Sequence, residues 1–542
     1  MRGMMMDRPI RTTDILTYAE DIHGSAEVIS SAVEGGIHRE TYAEMAVRCR
    51  KLSKALLGLG IGLGDRVATL AWNGYRHLEL YYSVPGIGAV CHTMNPRLSA
   101  DQMVYITNHA EDKAMFLDLT FVPLAEKLAA QFPGMAYVIM TDAAHMPDTS
   151  LPNVHCYEDL LVAQTDDFDW PEFDENTAAG LCYTSGTTGN PKGVLYSHRS
   201  QVLHGLMTGI SIQDAMHVGK RLLPVVPLFH ANAWGMAHSA PLTGTSLVMP
   251  GPHLDGASIY DLMESQNVFC AAGVPTVWLG LAAEIHKRGR PPAGFTEVIV
   301  GGSAAPTSMI KDFEEMGVSV CHAWGMTEMS PIGTMGYLGP EMEDLPAPEK
   351  IALKSTQGRR AFMVDLKIVD ENGVRLPHDD KTTGELFVRG PFIMSGYFNN
   401  EQASIDAMDA EGWFGTGDVA RISDQGFLTI TDRAKDLIKS GGEWISSLDV
   451  ENMAMSHPDI ANCAVIAVPH PKWEERPVLI AVPASDTPDT DSIRAHLAKH
   501  LAKWQLPDDI VFVPDLPLTA TGKVSKLTLR QLYAKHELPA GE

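Results

Sequence analysis

The string Tyr183-Thr-Ser-Gly-Thr-Thr-Gly-Asn-Pro-Lys-Gly-Val194 constrains this chain more than any other feature of it. Two glycines and four Ser/Thr hydroxyls run into Lys192, and Gly180–Tyr183 and Gly193–Tyr196 on either side read as strands. A loop held in this way turns successive backbone N–H groups toward a polyphosphate, with hydroxyls and one ammonium adding charge-assisted bonds. It is not a Walker A loop, which needs Gly before the lysine and Ser or Thr after it. Here Pro191 and Gly193 flank Lys192. The plain alternative is a Gly/Ser-rich surface turn.

Around this loop the first half alternates short β-rich runs with amphipathic stretches, the pattern of an α/β layer fold. Arg66–Trp72, Leu222–Leu228, Ser246–Met249 and Val298–Val300 are further strand candidates. The glycine-punctuated turn Gly58–Gly64 precedes a strand, whereas a dinucleotide-binding G-x-G-x-x-G follows one, so that reading is set aside. Pro306–Met316 places Met309, Phe313 and Met316 on one helical face, with Pro306 suited to the first turn. From Gly358 to Thr431 short strands and glycines, as in Gly384–Arg389 and Gly426–Ile430, predict a small β-rich subdomain or barrel. A smaller α/β unit follows Arg433. In it Ala464–Val468 pairs with Val478–Val482, and Ile493, Leu497, Leu501 and Trp504 share a helix.

Charge narrows the ligand. The 542 residues carry a net charge of -25, which repels nucleic-acid phosphates and anionic lipid unless basic residues cluster locally. An anionic small molecule must then be met by a built site of backbone N–H groups, a few Lys or Arg, and a metal. Seven scattered cysteines without a C-x-x-C spacing argue against a disulfide framework or a zinc site and fit a reducing cytoplasm. Met1–Asp14 lacks the apolar core of a signal peptide, and no run of about 18 apolar residues suggests a membrane span. The expectation is a cytoplasmic, multidomain protein without a nucleic-acid partner.

The string at 183–194 resembles the phosphate loop of the acyl-activating, AMP-forming enzymes: acyl-CoA synthetases, firefly luciferases and peptide-synthetase adenylation domains. The family's other markers follow in order. They are Gly301-Gly-Ser-Ala-Ala-Pro306, Trp324-Gly-Met-Thr-Glu328, Thr416-Gly-Asp418, the hinge string Asp432–Trp444, and Pro517-Leu-Thr-Ala-Thr-Gly-Lys523. The resemblance covers nearly the whole chain. It implies an α/β fold with a large N-terminal adenylation domain, residues 1–433, containing a β-rich subdomain at about 357–433. A small mobile α+β domain, residues 434–542, follows a hinge at Lys435.

The resemblance also implies roles. ATP, Mg²⁺ and coenzyme A are the expected small molecules. Thr184, Ser185, Gly186, Thr187, Thr188, Gly189 and Lys192 hold phosphates. Gly302, Ser303, Ala304, His322, Ala323, Trp324, Gly325, Met326 and Thr327 frame the nucleotide, Asp418 takes the ribose hydroxyls, and Arg433 and Lys439 add contacts. Thr184 and Glu328 hold Mg²⁺, a hard cation suited to oxygen ligands. Lys523 is the catalytic lysine of adenylation, and rotation about Lys435 withdraws it so that a thiol can reach the acyl carbon. Trp444 packs near the nucleotide or closes over the acyl tunnel, with core filling as the alternative.

The acyl side is implied by Leu228-Phe-His-Ala-Asn-Ala-Trp-Gly235, which resembles the element bearing the aromatic gate. His230, Trp234, Gly301 and Pro331 are the expected pocket residues. His230 is read as neutral, since a carboxylate nucleophile needs no base at pH 7. One departure is Trp324-Gly-Met-Thr-Glu-Met329 where Tyr-Gly-Leu-Thr-Glu-Thr is usual. The indole and thioethers are expected to shorten or soften the adjacent pocket. The substrate expectation is 3-methylmercaptopropionate or a short- to medium-chain fatty acid, with a long-chain acid as the alternative. Different classes stay open: a luciferase-like oxygenase, a carrier-protein adenylation domain, or a non-catalytic acyl-nucleotide sensor. A homodimer accompanies the fatty-acyl branch.

Overall fold

The computed structural model describes all residues except 2, 185–189, 213, 441–442, 486, 520–522, 537 and 540–542. Two largely parallel sheets with covering helices build the large N-terminal part. One runs, edge to edge, Val154–Cys156, Ala136–Ile139, Asp112–Leu117, Arg66–Leu70, Val90–Thr93, Ala178–Tyr183 and Gly193–Ser197. Its last pair is antiparallel, so the phosphate string joins two ladder partners.

The second sheet centres on the parallel strands Arg221–Pro224, Ser246–Met249, Cys270–Gly273, Glu297–Val300 and Ser319–Gly325. These strands read as continuous apolar runs because helices bury both their faces. Val298, Ile299 and Val300 are fully buried, and Met309, Ile310 and Phe313 of helix Thr307–Glu315 pack with two of them. Pro306 stands just before that helix as its cap, one position earlier than expected.

The strand expected over 222–228 ends at Pro224. Asn73, on the other sheet's connection, takes over the backbone there. Its side-chain amide donates to the Pro224 and Val226 carbonyls at 2.8 and 2.9 Å and accepts from the Leu228 N–H at 2.6 Å.

Asp365–Val369, Gly384–Arg389, Phe414–Ile422 and Leu428–Arg433 form an antiparallel sheet. Among the described residues its outer strands do not pair with each other, so it is an open sheet and not a barrel. The small C-terminal domain pairs Ile460–His470 with Glu474–Pro483, adding Asp509–Phe512 and the hairpin Ile438–Ser440/Glu443–Ile445. Helix Thr490–His500 buries Ile493 and Leu497 but stops before Trp504. Trp504 is exposed, its carbonyl accepting from Arg476, so the helical spacing that includes it in sequence does not continue in the structure. All seven cysteines are buried and unbridged. Among the described residues no helix is long and apolar enough to cross a membrane.

Candidate active site

The motif loops collect at the carboxyl ends of the parallel strands, where open α/β sheets leave a crevice for ligands. The phosphate string is tied at its base: the Thr184 N–H donates to the Lys192 carbonyl at 2.9 Å, one step beyond the Tyr183–Gly193 pair. Ser185, Gly186, Thr187, Thr188 and Gly189 lie outside the described residues. So do Gly441, Gly442, Thr521 and Gly522 of the later motifs.

Asp418 sits in strand Phe414–Ile422 with both carboxylate oxygens engaged. Arg433 Nε lies 2.8 Å from Oδ1, and the Trp324 indole Nε1 donates to Oδ2 at 3.1 Å. The Asp418 N–H donates to the Thr416 hydroxyl at 3.1 Å. Burial raises the Asp418 pKa, opposed by Arg433, by the indole N–H, and by the charges of Lys523 and Lys435. Two lysines from the C-terminal domain therefore lie within electrostatic reach of this carboxylate.

Glu328 is buried on a short helical turn, and its Oε1 accepts from the Tyr397 hydroxyl at 2.9 Å. Burial raises its pKa too, while Arg433 and Lys192 lower it through space. Lys192 Nζ rests 4.9 Å above the Tyr397 ring centroid. Among the described residues no cluster of three His, Cys, Asp or Glu could cage a metal. A lone buried carboxylate, held by the Tyr397 hydroxyl and within electrostatic reach of Lys192, instead suits a cation such as Mg²⁺ that keeps waters and shares phosphate oxygens.

Lys523 reaches this cluster from the C-terminal domain. A Cβ on Gly302 would stand 3.6 Å from Lys523 Cε, and Gly302 itself has φ +83°. Removal from water, reinforced by Arg433, lowers the lysine pKa to about 8, with Asp418 and Glu328 pulling the other way. His230 is held neutral near pKa 3 by burial and by the Lys523 charge.

Next to it, Ala231, Asn232, Ala233 and Trp234 all adopt left-handed φ values between 46° and 58°. Such a run costs about 1–2 kcal/mol per residue for L-amino acids, so the surroundings must impose it. Asn73 fixes its approach. The Tyr81 hydroxyl donates to the Leu228 carbonyl, and Tyr82 donates to the Ala237 carbonyl at 2.6 Å. The turn drives the buried Trp234 indole against Gly301, where a Cβ would lie 3.0 Å from Cη2.

The remaining expected residues divide. Gly301 packs against the Ala323 carbonyl, and His322 is buried, its pKa lowered to about 4 by desolvation. The Met326 N–H donates to the Pro331 carbonyl at 3.0 Å, closing the loop over Gly325. The Thr327 carbonyl accepts from Tyr196 at 2.7 Å. Ser303 is exposed and Ala304 half-buried on the loop that leaves Gly302.

Lys439 and Trp444 stand apart from this group. Lys439 pairs with Glu474 at 3.2 Å, and Trp444 is 57% exposed, which does not suit core filling. Trp324 turns its N–H to Asp418, and Met329 is fully buried against Gly333. Asn73, Tyr81 and Tyr397 escaped the sequence reading. The motifs contain none of them, and only spatial proximity discloses their partners.

Residues 22–398 match the AMP-binding enzyme family model, and residues 449–523 match the AMP-binding enzyme C-terminal domain. The chain is 47% identical over 538 residues to a medium-chain-fatty-acid–CoA ligase of Ectopseudomonas oleovorans, covering 98% of each chain. It is 45% identical to a 3-methylmercaptopropionyl-CoA ligase of Ruegeria lacuscaerulensis, covering 98% of this chain and 99% of that one. The crystal structure of the anthranilate CoA ligase AuaEII with anthranoyl-AMP shares the fold, with a TM-score of 0.87 over 99% of both chains at 21% identity. With loops, strands and lysine arranged as above, the chain belongs to the AMP-binding enzyme family.

Proposed function

We propose that this protein is an ATP-dependent acyl-CoA ligase. A carboxylate attacks the α-phosphorus of ATP, giving an acyl-adenylate and releasing pyrophosphate. The thiol of coenzyme A then displaces AMP to give the acyl thioester. The observation that carries this reading is the convergence of Lys523 from the C-terminal domain on Gly302, Asp418 and Glu328.

In-line phosphoryl transfer asks the protein for position and charge more than for covalent chemistry. Lys523 supplies the ammonium at the developing negative charge, and Lys192 supplies a second cation at the phosphate loop. Asp418, oriented by Trp324 and Arg433, is the ribose acceptor. Thr184 and Glu328 would hold Mg²⁺, which neutralises phosphate charge when bound. His230, kept neutral, leaves the incoming carboxylate without a competing cation from the imidazole. Before the thiol step Lys523 must leave, and the turn at Lys435, between the sheet of the large part and the C-terminal hairpin, is the pivot in this reading.

For the acid we favour 3-methylmercaptopropionate or a short- to medium-chain fatty acid. The buried Trp234 indole against Gly301 supports a pocket that ends early, and the names of the two relatives above agree with it. A cytoplasmic homodimer belongs to the same reading. The test is acid-dependent ATP–pyrophosphate exchange, followed by CoA-dependent AMP release across short thioether, short-, medium- and long-chain acids. Exchange without CoA consumption would transfer the reading to another acyl acceptor. A flat panel, or a preference beyond about twelve carbons, would overturn the substrate choice; a hydrophobic pocket gains only about 10–200-fold per methylene.

A further inference from the structure

Between strand Gly384–Arg389 and helix Glu401–Asp406 the chain runs from Glu328 to Gly193, the residue after Lys192. Its backbone is tied at both ends of this run. The Met394 N–H donates to the Glu328 carbonyl at 2.9 Å, and the Phe398 N–H donates to the Gly193 carbonyl at 2.8 Å. Between these ties stands Tyr397, its own N–H donating to the Ser404 hydroxyl at 2.8 Å.

One side chain thereby meets two charged groups of opposite sign from separate elements. The Tyr397 hydroxyl donates to Glu328 Oε1 at 2.9 Å, and the ring seats Lys192 Nζ at 4.9 Å. Desolvation and the Glu328 charge push the phenol pKa upward, so the hydroxyl stays a donor. Lys192 and Glu328 act on each other through space and make no described ion pair within 4 Å. A direct pair would neutralise both groups and turn each away from the nucleotide. A ring face that holds the ammonium, and a hydroxyl that holds the carboxylate, keep them apart yet adjacent.

From this geometry we infer that Tyr397 is a positioning residue for the metal-bearing end of the nucleotide: it orients Glu328 through its hydroxyl and Lys192 through its ring. The inference rests on the ligase reading for the identity of the nucleotide. The two contacts make separable predictions, because Tyr397→Phe removes only the hydroxyl and Tyr397→Leu removes the ring as well.

The experiment measures binding of ATP with Mn²⁺ to the full-length protein, following free Mn²⁺ by electron paramagnetic resonance. Binding of ATP in excess chelator is measured in parallel by calorimetry. Tyr397→Phe is expected to weaken Mn²⁺–ATP binding about tenfold, the scale of one hydrogen bond to a charged group, and to leave metal-free ATP binding within about twofold. Tyr397→Leu is expected to weaken both. Thermal unfolding of each variant establishes that it is folded. Unchanged Mn²⁺–ATP binding in Tyr397→Phe, or equal loss with and without metal, overturns the assignment. Failure of the unaltered protein to bind Mn²⁺–ATP would instead contradict the ligase reading on which it rests.

Discussion

Lys523, on the small C-terminal domain, lies in contact range of Gly302 on the large one: a Cβ on Gly302 would be 3.6 Å from Lys523 Cε and 3.1 Å from Val274 Cγ1. The lysine is thus inserted at Gly302, the geometry that the proposed mechanism needs for adenylation and must undo for thioester formation. Gly302 admits the lysine for two reasons at once. It has no side chain in the path, and it takes a φ of +83° that other residues reach only with strain.

Gly302→Ala therefore tests the passage. The left-handed backbone alone should cost about 1–2 kcal/mol of stability, visible as a lowered unfolding midpoint. The added methyl crowds Val274 and the lysine stem, so acid-dependent pyrophosphate exchange should fall by at least about tenfold, equivalent to 1.4 kcal/mol in the barrier.

The lowered pKa of Lys523 sets a pH dependence. Burial and Arg433 bring the folded-state value to about 8, below the ordinary 10.5, so the ammonium is present below that pH and lost above it. The adenylation rate with subsaturating acid should fall on an alkaline limb near pH 8, about tenfold per pH unit. In stability the same shift has the opposite sign. The unfolded chain binds the extra proton between the two values, so this group's contribution rises as pH increases through that window. Arginine stays charged throughout, so any activity retained by Lys523→Arg should lack the limb.

Trp324→Phe removes the N–H that occupies Asp418 Oδ2 and leaves Arg433 on Oδ1. With Asp418 as the proposed ribose acceptor, freeing its carboxylate on one side should weaken ATP binding in ground and transition states alike. The KM for ATP should rise about tenfold with kcat changed less than about threefold. An effect on acid chain length without an effect on ATP would place Trp324 in the acyl pocket instead.

Lys435→Pro constrains φ at the proposed pivot, where the chain passes as a turn between Leu428–Arg433 and Ile438–Ser440. Pyrophosphate exchange should be spared, within about threefold, while CoA-dependent AMP release falls by about two orders of magnitude. Equal loss in the two half-reactions, measured separately, counts against the pivot.

Much of this arrangement was legible in the sequence because it rests on local signals. The strands at Ser246–Met249 and Gly384–Arg389 are short apolar or alternating runs, and the structure keeps those bounds. The phosphate string declared itself through its hydroxyls and Lys192. Other features were out of reach because they depend on chain segments far apart in sequence. The strand after Arg221 looked apolar through Leu228, yet Asn73 captures its backbone from 155 positions away and ends it early. The left-handed turn Ala231–Trp234 violates local preference, and only the packing around it explains why it holds. The motif places Trp324 among the nucleotide-framing residues and its size suggests an effect on the acyl pocket, but that its N–H bonds Asp418, 94 positions away, is not readable locally. Trp504 followed the helical period, but Leu501 and Ala502 adopt extended backbone and end the helix before it.

In the proposed mechanism Lys523 acts in the first half-reaction alone. Lys523→Ala should be assayed twice, for acid-dependent ATP–pyrophosphate exchange and for thioester formation from chemically prepared acyl-adenylate and CoA. Exchange should fall at least about a thousandfold, the scale of one oxyanion-stabilising group in a dry site, while thioester formation stays within about threefold of the unaltered protein. Exchange that survives the substitution would show that Lys523 is not needed for adenylation, and thioester formation that falls with it would show that Lys523 is not confined to that step.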